Sequence, residues 1–579
     1  MENSRNFVLV LTLSLAVLIG WQWAMDHFYP QPDNVPVTAE TVDTPAEAAA
    51  AASGEIGESA ATSVDLESSL GAAERIRIDS PKVAGSIAVG GAMIDDIVLK
   101  DYAASPDGDS EPVRIFAPRG TDVQQYAQFG FLVNGAKISD DVLWESDGDT
   151  LSVGNPVTLR HDAGNGVLLE QTYSIDENYM ITVEQAVSNR GENGIVAQPF
   201  GLVGRTSTTM SDDFFIAHSG PIGSFGQAVE YGYDYSDVEE ERKVSPSGTT
   251  DWLGFTDIYW LAALVPQAGT DPDATFRSLG GDLYRADMIY DPVRVEAGRK
   301  VTTTSRLFAG AKDSEILDAY QDAGIPQFGL AIDWGWFRWF EKPFLWLLKN
   351  IFALVGNFGV AIIILTIIVR GLMFPIAQKQ FASMAAMKAI QPKMKKLQER
   401  HKDDKVKQQQ EMQKLFKEEQ VNPLAGCLPL ILQIPIFFAL YKVLYLAIEM
   451  RHQNFLWIED LSAPDPATIL NLFGLLPFTP PSFLAIGILA VLLGVTMWLT
   501  FKLNPSAMDP VQQQVFSIMP WVLMFIMAPF AAGLLLYWVT SNVLTLAQQK
   551  YLYSKHPQLK AAAEKEKAEK AAEAAEAKP

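Results

Sequence analysis

The sequence predicts a multi-pass α-helical membrane protein: six spans, a five-helix core, a large periplasmic β-sandwich domain and a cytoplasmic helical hairpin. Three observations predict it. Uncharged runs of membrane-crossing length recur after Asn350, and about 20 apolar residues cross a bilayer's hydrocarbon. Between Glu74 and Asp318 such runs are absent, and short alternating segments bounded by turn signals replace them. Lys and Arg crowd into one connection between apolar runs, which sets orientation.

Composition bounds the possibilities. The net charge is −23 over 579 residues, yet the two halves differ: Glu74 to Asp318 holds 39 acidic residues against 19 basic ones. The acidity therefore belongs to a soluble domain, and it excludes nucleic acid as a general partner, except indirectly through a ribosome. The single cysteine, Cys427, excludes a disulfide framework and lies far from the N-terminus, so no lipoprotein anchor is expected. Inside its apolar run it reads as a small buried hydrophobe.

Asn6 to Met25 is an uncharged stretch with Arg5 before it and Asp26 after it. A cleaved signal peptide competes with an anchor. Trp21, Gln22, Trp23 and Ala24 make a poor small-residue cleavage site, so residues 1–30 are read as an uncleaved transmembrane anchor. Residues 31–73, rich in Ala, Ser, Glu, Pro and Thr, are read as a disordered linker. Residues 74–325 are the β-sandwich, from strands such as 113–116, 168–173, 180–183 and 301–307 with Asp-Gly, Asn-Gly and Pro-Asp turns between them. Its acidic and aromatic residues fit a solvated surface or a carbohydrate site, and no metal spacing or nucleophile constellation is seen in it.

Residues 333–350 interleave Trp334, Trp336, Phe337, Trp339, Phe340, Phe344 and Trp346 with charges. They suit an amphipathic helix lying in the membrane interface, the alternative being a helix packed on the β domain. Spans follow at 351–377, 421–448, 482–501, 515–528 and 530–550, the last two divided at Ala528-Pro529. A periplasmic loop (449–481) and a cytoplasmic loop (502–514) join them, and a cytoplasmic tail closes the chain (551–579). The connection 378–420 carries eleven basic residues, whereas the loop from Glu449 to Pro481 has only Arg451. Both termini are therefore placed in the cytoplasm and the β domain outside, in the inner membrane of a cell with a periplasm.

The basic connection reads as a helical hairpin. Met384, Met387, Ile390, Met394 and Leu397 recur at spacings of three and four, and residues 401–405 make the turn. Pro392 is expected to weaken or kink the first helix. Lys388, Lys393, Lys395, Lys396, Arg400, Lys402 and Lys405 are either a solvated face or the contacts for a ribosome or targeting receptor.

Arg370 is the most informative residue. It sits about 12 Å along a helix axis from Gln378, at about 1.5 Å per residue, and an intramembrane Arg costs about 2.5–3.5 kcal/mol on insertion scales. No other span holds a carboxylate to pair with it. It either snorkels to cytoplasmic phosphates or is kept hydrated in a groove. Thr366, one turn earlier on the same face, Gln433 between Pro429 and Pro435, and the run Tyr537, Trp538, Thr540, Ser541 and Asn542 supply polar groups for such a groove, though each also fits an interhelical hydrogen bond. Met519, Met524, Phe525 and Met527 on a short span offer an adaptable surface for a sliding helix, or plain lipid-facing filler. No nucleotide motif is present and no cofactor is expected.

At these residues the chain resembles the YidC membrane-protein insertase family, in its Gram-negative form. The matching pieces are TIIVRGLMFPIAQKQFASMAAMKAIQPKM at 366–394, NPLAGCLPLILQIPIFFALYKVL at 422–444 and GLLLYWVTSN at 533–542. The resemblance implies a non-enzymatic insertase and chaperone whose clients are nascent membrane proteins. It also implies cooperation with the SecYEG translocon and SecDF. It maps the family's groove arginine to Arg370, its client-contacting threonine to Thr366, and an aromatic pair to Tyr537 and Trp538, where some relatives carry a second Tyr. In Gram-positive relatives the arginine is essential and in Gram-negative ones more dispensable, so partial loss on substitution is expected here. A secondary transporter or channel would need an inverted repeat, broken helices in matching halves or paired ionisable residues, and the sequence shows none; a tethered periplasmic carbohydrate-active protein would carry its activity in the β domain.

Overall fold

The computed structural model describes residues 64–72, 74–106, 110–138, 142–211, 217–335, 338–401, 404–419, 428–473, 476, 478, 481, 485–503 and 510–555. Side chains of 382–389, 391–392, 395, 405, 428–432, 503, 510–513, 515–516 and 553–555 are outside that description. The expected N-terminal anchor, Cys427, Trp336, Phe337, Lys402 and most of the tail also lie outside it.

The acidic region folds as two packed antiparallel-rich sheets of 12 and 9 strands. In the first, Gln125–Val133 pairs with Ile195–Thr206, which pairs in turn with Leu283–Ile289. In the second, Met180–Asn189 lies between Val167–Ile175 and Lys300–Ala311, with Met180 opposite Phe308. Period-two alternation is plain in Val167–Ile175, where every second residue is buried. One inward position of that strand is polar: Gln171 donates to the Phe129 carbonyl at 2.8 Å, and on the neighbouring strand Gln185 donates to the Gly130 carbonyl at 2.7 Å. These amides couple the two sheets through a core of Phe129, Phe131, Trp252, Phe255 and Phe308. The Gln171 amide, which also accepts from the Tyr173 hydroxyl, escapes the desolvation cost of an orphan.

The end of the segment expected to be disordered departs from that expectation. Helix α1 (Leu66–Gly71) forms there because Asp65 caps it, its carboxylate accepting from Ser68 N at 3.1 Å, and because Val64 N bonds the Gly120 carbonyl at 2.9 Å. After the last strand, α2 (Ser314–Asp322) starts at the Asp313 cap.

Helix α3 (Arg338–Val355) extends five residues past the expected limit at 350, and the next helix begins at Phe358 instead of 351. The physical reason is a local stop and start. Gly356 takes a left-handed φ of 68°, with its N–H on the Phe352 carbonyl at 2.7 Å, and only glycine adopts that region cheaply. Asn357 then caps the following helix by accepting from Val360 N at 3.1 Å. On α3, Glu341, Leu345, Leu348 and Ile351 face inward while Trp339 and Trp346 are exposed.

Helix α4 (Phe358–Arg400) is continuous for 43 residues, about 64 Å at 1.5 Å per residue. It shows no boundary at 377/378, and it runs through position 392. Its first part, Phe358–Phe381, is the one described helix both long and apolar enough to cross a bilayer. Helix α5 (Lys405–Glu418) folds back on it, capped by Asp404 and tied by Lys393 to Glu419 at 2.5 Å and Gln408 to the Gln398 carbonyl at 3.1 Å. Helices α6 (Leu428–Leu446), α7 (Ile488–Leu503), α8 (Pro510–Met527) and α9 (Ala532–Lys555) complete the bundle.

Hydrogen bonds place the ends of these helices. Asn357, before α4, donates to the Asn454 carbonyl at 3.2 Å. Just beyond α6, Arg451 donates to the Ala103 carbonyl of the β domain at 2.6 Å and lies over the Trp260 ring. Tyr259 reaches the Tyr445 carbonyl at 3.1 Å. The N-termini of α7 and α9 meet the loop after α6, through Ile488 N to the Ala467 carbonyl and Gly533 N to the Leu461 carbonyl. One end of the bundle thus abuts the β domain, and the α4–α5 pair extends away from the other.

Candidate functional site in the helical bundle

Arg370 sits well inside α4 and is partly buried. Its guanidinium does not run along its own helix toward a membrane surface; it turns across to α9, where Nε donates to Ser541 Oγ at 2.8 Å and Nη2 donates to the same oxygen. Among the described residues no carboxylate is paired with it. A cation needs compensation in low dielectric, and one hydroxyl supplies a fraction of what water does.

Tyr537 precedes Ser541 by one helical turn, so the two share a face of α9. Gln433 of α6 donates to the Tyr537 hydroxyl at 2.8 Å. Further along, Gln548 Nε2 lies 3.5 Å from the Arg370 carbonyl. The polar line therefore joins α4, α6 and α9 through Gln433–Tyr537, Arg370–Ser541 and Gln548. Gln548 was not foreseen; its signal was the spacing of seven from Ser541, which keeps it on the same stripe.

The other predicted residues are distributed differently. Thr366 is fully buried, 0% exposed, and its hydroxyl donates to the Ile362 carbonyl of its own helix at 2.6 Å. Asn542 is turned from Arg370, since successive helical residues are about 100° apart, and it donates to Thr496 of α7 at 3.2 Å. Trp538 is half-buried with its ring 4.9 Å from that of Phe437. Thr540 is half-buried.

The surface assigned to α8 divides. Met524 and Met527 are buried in the bundle and Met519 is half-buried, whereas Phe525 is 53% exposed. The correction follows from helical periodicity: Pro520, Met524 and Met527 repeat at four and three and face inward, leaving Ile518, Trp521, Val522, Phe525 and Ile526 outward. Of the hairpin residues, Lys393 is engaged with Glu419 and Lys396 and Arg400 are exposed. The side chains of Lys388, Lys395 and Lys405, and all of Lys402, lie outside the described set.

A charge cluster escaped sequence reasoning. On α3 the buried Glu341 lies near Lys442 of α6, which donates to the Asp333 carbonyl at 2.8 Å and approaches its carboxylate at 3.3 Å. Burial lifts the Glu341 carboxyl to about 8, with Lys442 opposing and Asp333 reinforcing the rise. The signal was a carboxylate on the apolar stripe of α3, at four and seven residues from Leu345 and Leu348. Beside it, Lys349 bridges Glu315 at 2.6 Å and Glu449 at 3.1 Å, and burial raises the Glu449 carboxyl against the pull of Lys349.

The β domain holds a cleft of about 400 Å³ lined by Arg114, Arg205, Phe255, Asp257 and Trp260 among others. Arg205 is paired with Asp257 at 2.6 Å and Arg114 with Asp96, so both arginines are neutralised within the domain.

Residues 350–560 match the family described as 60Kd inner membrane protein, and residues 75–347 match the YidC periplasmic domain family. Among curated proteins, the chain is 40% identical over 574 residues to membrane protein insertase YidC of Mesorhizobium japonicum, covering 95% of each chain. It is likewise 40% identical over 561 residues to that of Zymomonas mobilis, covering 96% of each. A solved structure titled an active YidC insertase with its first transmembrane domain resolved aligns at a TM-score of 0.35 and 18% identity, covering 82% of this chain and 92% of that one.

Proposed function

The chain belongs to the YidC membrane protein insertase family, and on that premise we propose how its residues perform insertion. It is a membrane protein insertase with a sheet-rich periplasmic domain and a membrane core. We read the core as five spans, α4, α6, α7, α8 and α9, preceded by an N-terminal anchor. Support comes from the alternation of helix ends between the β-domain side and the α4–α5 side, and from the basic loop that the positive-inside rule assigns to the cytoplasm. Both termini are then cytoplasmic and the α4–α5 pair is a cytoplasmic hairpin.

The observation that carries the mechanism is the Arg370 guanidinium turned inward onto Ser541 with no carboxylate paired to it among the described residues. A cation so placed is tolerable where water reaches it. A hydrophilic groove open to the cytoplasm and to lipid, lined by Arg370, Ser541, Tyr537 and Gln433, solvates the polar segment of a client that would otherwise face about 30 Å of hydrocarbon. Arg370 attracts that segment's carboxylates. Tyr537 and Trp538 guide the client's apolar helix, which then slides along the outward row of α8 around Phe525. Asn542 ties α9 to α7 through Thr496, while Thr366 packs inside α4 with its hydroxyl on its own helix. Driving energy comes from burial of the client's apolar helix in lipid, at about 25 cal/mol per Å², and from the membrane potential.

Clients are nascent membrane proteins. SecYEG and SecDF are the proposed partners for larger clients, with the ribosome and a targeting receptor at the hairpin around Lys393, Lys396 and Arg400. No catalytic role is assigned to any residue. The test is insertion of a short, weakly charged client into proteoliposomes containing this protein alone. Faster insertion than into empty liposomes is expected; equal rates would sink the mechanism.

A further inference from the structure

The second half of the loop between α6 and α7, from Asp465 to Phe473, is built largely inside out. In water a loop turns its polar side chains outward and its apolar ones inward. Here Asp465, Thr468 and Asn471 are only 4–8% exposed, while Ile469, Leu470, Leu472 and Phe473 are 45–55% exposed.

Most of the backbone N–H groups are likewise satisfied from within. The Asp465 carboxylate accepts from Ala467 N at 3.1 Å, from Leu489 N at 2.8 Å and from Trp457 Nε1 at 3.1 Å. Thr468 N reaches the Pro466 carbonyl, Ile469 N that of Ile486, Leu472 N that of Ile469 and Phe473 N that of Thr468. Asn471 bonds Thr468 Oγ1 through its N–H and the Pro466 carbonyl through its side-chain amide. Where water is scarce, backbone groups must find partners inside the chain, and that is the pattern shown.

Depth follows from helix length. Helix α7 has 16 residues, about 24 Å, against about 30 Å of hydrocarbon. The loop is stitched to its N-terminus by the Thr468–Gly487 bridge and to the start of α9 by the Pro464–Ala531 bridge. It therefore occupies the level at which a longer helix would have continued.

We propose that the loop from Asp465 to Phe473 is immersed in the outer edge of the hydrocarbon on the β-domain side, with Ile469, Leu470, Leu472 and Phe473 packed against lipid acyl chains. This rests on the reading of α7 as a membrane span. The occupant is lipid and not a second protein surface, because the loop is bonded to the N-termini of α7 and α9 and most of its backbone N–H groups are paired within the chain, as hydrocarbon requires and a protein or aqueous surface does not.

The test uses the full chain with Cys427→Ser, carrying Leu472→Cys or Phe473→Cys and a nitroxide label. It is reconstituted in phosphatidylethanolamine–phosphatidylglycerol vesicles. Leu492→Cys on α7 and Val153→Cys on the exposed β domain are the references. Power saturation should show access to dissolved oxygen and loss of access to a water-soluble nickel chelate at 472 and 473, as at 492. Nickel access matching that at 153 overturns the proposal in favour of a solvated loop. Exclusion of both reagents overturns it in favour of protein covering the loop. Nickel access at 492 itself would instead remove the spanning assignment of α7.

Discussion

Substituting Ser541→Ala distinguishes a hydrated groove from a dry bundle by the size of its effect. The hydroxyl accepts from both Nε and Nη2 of Arg370, so its removal leaves the guanidinium without the acceptor that the described structure provides. In a dry interior this strands a charged donor and costs about 1.5–3 kcal/mol, the range for hydrogen bonds to charged groups. In a hydrated groove water replaces the hydroxyl, and the change resembles an exposed substitution, within about 0.5 kcal/mol. Ser541 is itself only 2% exposed, but the guanidinium it meets is only partly buried, and the groove reading expects the smaller figure. The measurement is reversible unfolding in bicelles, paired with client insertion in proteoliposomes. Arg370→Met in the same assays should lower insertion of an acidic client partially while leaving stability near that of the parent. A Ser541→Ala loss above about 1.5 kcal/mol, recovered when Arg370→Met is added, would refute hydration of the guanidinium and with it the groove.

Burial holds the Glu341 carboxyl near 8 against an ordinary 4.5, so the folded form binds this proton more tightly than the unfolded one. Its contribution is complete below about pH 4.5 and lost as pH rises through about 8; the thermal midpoint should fall over that window, and Glu341→Gln should flatten the fall. Asp465→Ala leaves the buried N–H of Leu489 without its acceptor and should cost about 1–3 kcal/mol, read as faster hydrogen exchange at the start of α7. A Cβ on Gly359 would stand 2.2 Å from the Phe455 ring, so Gly359→Val should destabilise by about 1–3 kcal/mol in the same unfolding assay. Deleting residues 75–320 removes the carbonyl partners of Arg451 and one of the two carboxylates on Lys349 but no partner of Arg370, Ser541, Tyr537 or Gln433; insertion in proteoliposomes should persist at a reduced rate, whereas abolition would move the activity into the β domain.

What was legible in the chain beforehand follows from signals that are local and long. The β domain showed as alternation because a half-buried strand repeats every second residue. The membrane core showed as uncharged runs because the hydrocarbon sets their length. Arg370 showed because a lone cation among apolar residues has few tolerable environments. Ion-pair and packing choices were not legible, being decided between segments distant in sequence.

Which of two adjacent residues, Ser541 or Asn542, meets Arg370 depends on the rotation of α9 about its axis, and only packing against α4 and α7 sets that angle. The same rotation on α8 sends Met524 and Met527 inward and Phe525 outward. The cluster of Glu341, Asp333 and Lys442 draws on two helices and a loop, and the inverted loop at 465–473 reads in the sequence as an ordinary apolar stretch. Sequence alone determined which segments must leave water, because burial of apolar area is additive along the chain. The tertiary structure decided which polar groups face one another, because hydrogen bonds and charges depend on distances of a few ångströms that no single segment specifies.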